Sequence, residues 1–509
     1  MNIRKLLTRL VSLALIAVFL PTVAMADTWY LEDGSITVSA TDSGQNVSQG
    51  GVTKEDSAPV IRNRDSSAST TNNVTIRADT GATANVTLED TNIDTTGGAG
   101  PNGAGDAAVR TEGGGNVNLN VELDNTLQSG NTHAGVEKGN GGNLTIGSES
   151  GSGQLVAVGA DGGAGIGSED RLASGNYNVG NITITGGDIF ATGNGGGAGI
   201  GGGWYCSASD ITITGGNVTA VGKEDNPNRI GGAGIGGGGS QSSNAGGGSN
   251  LKITGGRVTA VGGNFSAGIG GSIGSNGDNI TISDAEVIAI GGTCAAGIGG
   301  GCRLGNGIVG QGTNISISGS ANVKAAGGVG DSMDGAGAAI GAGGSHQGTT
   351  AQEGAADTSG LSPDGSVERL DPGTTFDIPQ PKPRSSFPKP APDPVAVEEE
   401  PQPVKAALYR VIDDAGKALP VETKQEDGVL LLTAQADIAI LEGAISGLQT
   451  LQSRGIDTIT FTNGTISVSF SLAEVIAKGA SSDVYRLTLS GGEANFTLAD
   501  ADITALLGK

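Results

Sequence analysis

From Asn181 to Gly203 the chain reads NITITGGDIFATGNGGGAGIGGG, with apolar residues at set intervals: Ile182 and Ile184 on either side of a threonine, Ile189 just past a glycine pair, and Ile200 between glycines. Variants of this stretch begin at Asn143, Asp210, Asn250, Asn279 and Asn314. Alternation of period two marks a strand with one buried face. The Asn181 copy therefore predicts three extended segments, Ile182–Thr185, Asp188–Thr192 and Ala198–Gly201, joined by glycine-rich corners. Such a unit cannot bury its apolar face alone, so copies must stack, strand on strand, about 4.8 Å apart. The predicted architecture is mainly β, a parallel β-helix of about eight to nine coils.

Stacking turns equivalent residues into columns. The first segment contributes Ile184, Ile213, Ile253, Ile282 and Ile317, and the second Ile189, Val218, Val258, Val287 and Val323. Ile166, Ile200, Ile235, Ile269, Ile298 and Ile340 form the third column, each beside small residues that let the chain close a narrow lumen. The residues leading into each copy, Asn143, Asn181, Asn250, Asn279 and Asn314, interrupted by Asp210, predict a ladder of amides that is buried and paired. Thr183, Thr185, Thr212, Thr214, Lys252, Thr254, Thr281, Ser283, Ser316 and Ser318 alternate to the outside.

The same grammar is degraded before Asn143. Ile36-Thr37-Val38, Asn73 to Ile76, Asn85 to Leu88 and Val117 to Val121 alternate like first segments, and Pro59 to Ile61 and Ala107 to Val109 like third ones. Residues 1–26 combine Arg4, Lys5 and Arg9 with an apolar run from Leu10 to Leu20 and a closing Ala24-Met25-Ala26, the pattern of a secretory signal peptide. The helix is expected over 27–344 and a Pro-rich spacer over 345–405, a polyproline-type segment that holds two folded parts apart without packing on either. Residues 406–509 predict a small α+β domain, with an amphipathic helix from Asp437 to Arg454 presenting Ile440, Leu441, Ile445, Leu448 and Leu451, and a shorter one from Leu472 to Ala477.

The repeats ITITGGNVTAVGG and GAGIGGG resemble those of secreted right-handed parallel β-helix surface proteins of clostridia-type Gram-positive bacteria. The resemblance covers roughly 27–344. It implies a right-handed coil and a carbohydrate-binding or adhesin-like role at the cell surface.

Charge narrows the partners. Fifty-two acidic side chains face 28 basic ones, a formal charge of −24. Nucleic acid is excluded as a partner, since a phosphate backbone needs basic neutralisation. Polyuronate would be repelled without a bridging cation; the favoured ligand, a polysaccharide or a host or plant glycan, is what the resemblance implies. No later run approaches the roughly 20 apolar residues of a membrane-spanning helix, so no integral membrane segment is expected in the mature chain.

The three cysteines, Cys206, Cys294 and Cys302, predict free, partly buried thiols, with Cys294 and Cys302 at opposite ends of one strand. No zinc site is expected from them, because neither histidine, His133 nor His346, adjoins them in sequence. The glycine clusters are followed by strands, not helices, so they are not phosphate loops, and they lack the Asp of calcium-binding β-roll repeats. The outward first-segment positions carry no cluster of carboxylates for acid and base work. No catalytic residue, metal ligand or cofactor is expected.

Coil starts lie 29 to 40 residues apart, and the excess falls between the third segment of one coil and the first of the next, a ridge on one corner. Trp204 and Tyr205 sit on that ridge, with Tyr177 one coil earlier. They are the candidate ligand-binding residues, since exposed rings give sugars a face to stack on. The expected function is extracellular or cell-surface, non-enzymatic binding or adhesion. The alternatives are a polysaccharide lyase or glycoside hydrolase on the same fold, and a structural spacer with a binding C-terminal domain.

Overall fold

The computed structural model describes residues 27–97, 105–170, 178–223, 230–241, 246–303, 308–345, 350–351, 353–386, 409–414, 416–417, 419, 421–426, 428–453, 456–480, 483–499 and 501–508. The chain forms two compact units, residues 1–391 and 392–509. The predicted signal peptide lies outside the described residues.

The first unit is a right-handed parallel β-helix of three sheets. A first sheet of twelve strands runs from Thr28–Tyr30 to Ala356–Asp357, a second of nine from Asn92–Asp94 to Ser366–Leu370, and a third of twelve ends at Ile340–Gly341. All three columns hold in register: Ile184 pairs with Ile213, Ile189 with Val218, and Ile200 with Ile235, and so on along the axis. Their side chains fill one continuous apolar lumen. The third strands are only two residues long in the later coils, an isoleucine and a glycine. That glycine is required: Gly201 has φ +137°, and a Cβ there would lie 2.1 Å from the carbonyl oxygen of Gly236 one coil on.

The amide ladder forms, but at the rim. Asn250 donates to Asp210 (3.1 Å), Asn279 to Asn250 (3.2 Å) and Asn314 to Asn279 (3.0 Å), all exposed. Each of these residues has a φ of 50–55°, and such a left-handed kink carries the side chain out of the line of the strand and away from the lumen.

The early coils follow a different register from the one expected. Ile36–Thr41 and Val74–Ala78 belong to the third sheet, where Val74 pairs with Val109, and Val60–Arg62 belongs to the first. Third strands here are five or six residues long and alternate as fully as first strands do, so alternation cannot tell the two apart. The hairpins Ile36–Thr41, Gly44–Gln49 and Val52–Glu55 turn antiparallel and cap this end of the third sheet.

The expected spacer is, in its described part, built into the helix. Ala356–Asp357 extends the first sheet and Ser366–Leu370 the second, beyond the predicted boundary at 344. The chain then turns back along the second sheet. Gly373 donates to Gly327, Lys382 exchanges backbone hydrogen bonds with the Gln154 amide (2.8 and 3.0 Å), and the Lys382 ammonium reaches Asp188 at 2.5 Å. Arg384 reaches Asp90 (2.5 Å), the carbonyls of Thr91 and Asp124, and the Thr126 hydroxyl. In strand order this crosses from the last coils to the early ones. Proline content fits an extended strap, but the expectation that it packs on neither part overlooked its two cations and the acidic row they meet. Residues 387–405 lie outside the described residues.

Cys294 and Cys302 form a disulfide, Cα to Cα 5.2 Å, which corrects the expectation that all three cysteines are thiols; Cys206 lies outside the disulfide and is buried. The segment between them does not hold them at opposite ends of one strand. It is a tight excursion around Ile298, in which Ala296 donates to the carbonyl of Gly300, and this brings its two ends together.

The second unit is α+β. Five strands in the order Arg410–Ile412, Ile438–Ala444, Val484–Ser490, Glu493–Leu498 and Ala501–Asp502 form one sheet, and four in the order Val421–Glu426, Val429–Ala434, Thr458–Thr462 and Ser467–Ser471 form another. The helices are Ile445–Ser453 and Leu472–Ile476, so the long helix expected from Asp437 is half strand. Ile438–Ala444 pairs on both edges, and a central strand buried on both faces reads like one stripe of a helix.

Candidate functional site

The aromatic ridge is mostly core. Trp204 is 8% exposed, and its ring lies so close over Gly196 that a Cβ there would meet ring carbon Cε3 at 1.9 Å. Tyr205 is half-buried, edge-on to Trp204 at 5.3 Å, with φ +65°. Loop packing has covered the indole face that was expected to be open for stacking. Tyr177 lies outside the described residues.

The outer face of the first sheet offers a different surface. Its strands carry two outward columns. One runs Asn85, Asn118, Thr145, Thr183, Thr212, Lys252, Thr281, Ser316, in register throughout. In the other, Asn120 pairs with Gly147. Gly147 interrupts a column otherwise made of side chains, and beside this gap lies a shallow groove of about 190 Å³ lined by Asn118, Asn120, Thr145, Ser148, Glu149 and Thr185. Leu119 and Gly147 complete the floor, and the side chains around it are amides, hydroxyls and one carboxylate, held in place locally. Asn118 donates to Asn85 (2.9 Å), Asn120 accepts from the Glu149 backbone (2.9 Å), and Glu122 accepts from the backbones of Glu149 and Ser150 (2.7 and 3.1 Å). Sequence reasoning recognised the strand Val117 to Val121 but gave no weight to its outward asparagines. The signal was the alternation of Asn with Val and Leu in NVNLNV.

A second cluster lies on the third sheet. Arg110 and Glu137 are register partners on adjacent strands, His133 occupies the corner before Glu137, and Glu169 follows the next third strand. Glu137 receives Arg110 Nε at 2.8 Å on one oxygen and faces His133 Nδ1 at 2.7 Å with the other. His133 Nδ1 is also 3.2 Å from Arg110 and 3.5 Å from Glu169. Burial pulls the imidazole pKa down, but the hydrogen bond and charge of Glu137, with help from Glu169, outweigh it and leave the pKa raised. Next door, burial pushes Lys138 down to about 8; its ammonium donates to the carbonyls of Asn140 and Gly142. These residues, 110 to 169, are scattered in sequence, and only a coil-length periodicity could have joined them.

Glu89 pairs with Arg62 at 2.9 Å, Asp94 caps its own turn at Thr96, and Asp90 is taken by Arg384.

No helix among the described residues is long and apolar enough to cross a membrane. No curated protein and no solved structure matches the chain. A family model described as a beta helix repeat matches residues 182–204, 211–239, 251–274 and 280–302, so over four successive coils the chain is similar to the β-helix repeat family.

Proposed function

We propose that the chain is an extracellular, non-enzymatic binding protein whose first sheet holds a neutral polysaccharide. The groove at Asn118, Asn120, Thr145 and Thr185 carries this reading, because amides and hydroxyls set on a rigid sheet at strand spacing suit the repeated hydroxyls of a glycan chain. Glu149 and Glu122 at the same edge disfavour uronates. Export is supported by the leader-like residues 1–26. The test is a titration of the purified chain with neutral and uronate polysaccharides, with product release followed in parallel. Asn118→Ala with Asn120→Ala is expected to weaken the neutral ligand at least tenfold, about 1.4 kcal/mol, with little dependence on salt. Unaltered affinity in the double variant overturns the site, and release of reducing ends or unsaturated products overturns the non-enzymatic role.

A further inference from the structure

We propose that His133, Glu137 and Glu169 form a binding site for one divalent transition ion of the zinc class. The three offer one imidazole nitrogen and two carboxylate oxygens, all within 4.8 Å of one another. They come from two neighbouring coils, and the backbone presets them. His133 N donates to Gly130 O (3.1 Å), His133 O accepts from Ala160 N (3.1 Å), and Glu137 sits on a strand paired on both sides.

The contacts around Nδ1 point to an ion. Arg110 approaches it at 3.2 Å as a donor, which requires a lone pair on Nδ1, while the Glu137 oxygen approaches at 2.7 Å as an acceptor, which requires a proton there. One nitrogen cannot present both. With the lone pair, Nδ1 faces carboxylate lone pairs from Glu137 and Glu169; with the proton, it faces the Arg110 N–H. A dication placed among the three atoms takes a lone pair from each, at about 2.0–2.2 Å, and resolves the conflict. Glu137 can serve it without losing Arg110, since Arg110 Nε binds the other carboxylate oxygen. The planar guanidinium moves as one body, so the Nη2 contact is relieved by tilting the whole head about its Nε–carboxylate bond, and the side chain, 33% exposed, has solvent to tilt into. A protein partner holding a metal-bound carboxylate in this way is a common arrangement.

The donor set selects the ion. Calcium takes six to eight oxygens, whereas one nitrogen and two oxygens with a position left for water suit zinc, cobalt or nickel. Arg110 lowers affinity by adding a positive charge beside the ion.

The experiment is a calorimetric titration of the purified, untagged chain with Zn²⁺, with Co²⁺ absorption as an independent readout and Ca²⁺ as a control. One Zn²⁺ per chain is expected to bind with micromolar or tighter affinity. His133→Ala and Glu169→Gln are each expected to weaken it at least thirtyfold, Arg110→Ala to tighten it severalfold, and His346→Ala, at the other histidine, to leave it unchanged. Glu169 lies at the rim, 21% exposed, so Glu169→Gln reports on the site even if His133→Ala misfolds. The absence of stoichiometric Zn²⁺ binding by the folded chain overturns the proposal. So does affinity unchanged by Glu169→Gln, which would make the cluster an ion-pair network only.

Discussion

The coils from Ile182 to Gly341 and those before Asn143 share one lumen but differ in what fixes them. In the later coils, isoleucine, valine and alanine stack on their own kind, and glycine backbones approach so closely that a Cβ would strike a carbonyl. The earlier coils have longer third strands, and charge joins neighbouring strands and strand ends: Arg62 with Glu89, Arg110 with Glu137, and Asp90 and Asp124 answered by Arg384 from far along the chain. A solenoid held by identical columns needs little else. Where the repeat decays, polar cross-links take over, and the candidate sites lie at or near these irregular coils.

The largest effect is expected in the lumen. Ile269→Asp, fully buried between Ile235 and Ile298, loses about 1.5–3 kcal/mol of apolar burial and adds several more for an unpaired charge. Urea unfolding should show the repeat unit destabilised by about 5 kcal/mol or more.

Next comes Arg384→Ala, which separates the two regions. It leaves Asp90 and Asp124, both mostly buried, without the guanidinium that bridges them, and is expected to cost about 2–3 kcal/mol. Hydrogen exchange should speed up at Asn92–Asp94 and Asp124–Gln128, with Arg257–Val261 and Glu286–Ile290 unchanged. Equal acceleration in both regions would mean that the strap does not anchor the early coils selectively.

Cys294→Ala removes a disulfide closing a short loop in the later coils and should cost about 2–3 kcal/mol, an effect that reductant reproduces in the parent chain. Thr281→Ala, on the outer face of the same region, should cost under about 1 kcal/mol in the same urea assay.

The regular coils were legible because one residue type repeated at one place: the Ile184, Val218 and Ile269 columns follow from recurrence at coil spacing. What stayed hidden depended on register between distant residues. Alternation places Val74 and Val117 equally well in the first or the third sheet, and only pairing assigns them. The Cys294–Cys302 bridge required knowing that the third strand is two residues long. Lys382 and Arg384 looked like ordinary charges in a proline-rich segment until Asp188, Asp90 and Asp124 were seen to form a row for them. Trp204 was legible as a corner residue, but whether its ring faced solvent was decided by Gly196, a residue without a side chain.

The central functional claim is most directly tested at Gly147. Its backbone is within reach of any residue, since it lies at the end of a regular strand without a positive φ; a Cβ there would lie 2.3 Å from the Thr185 hydroxyl, which must rotate off its hydrogen bond to the Ile146 carbonyl, and Thr185 is exposed enough to do so. Gly147→Thr would complete the outward column and fill the groove. Measured by titration with whichever neutral polysaccharide the parent chain binds, the variant is predicted to lose at least tenfold in affinity while its urea midpoint stays unchanged. Retained affinity in a stably folded Gly147→Thr chain would contradict the account and place the binding surface elsewhere.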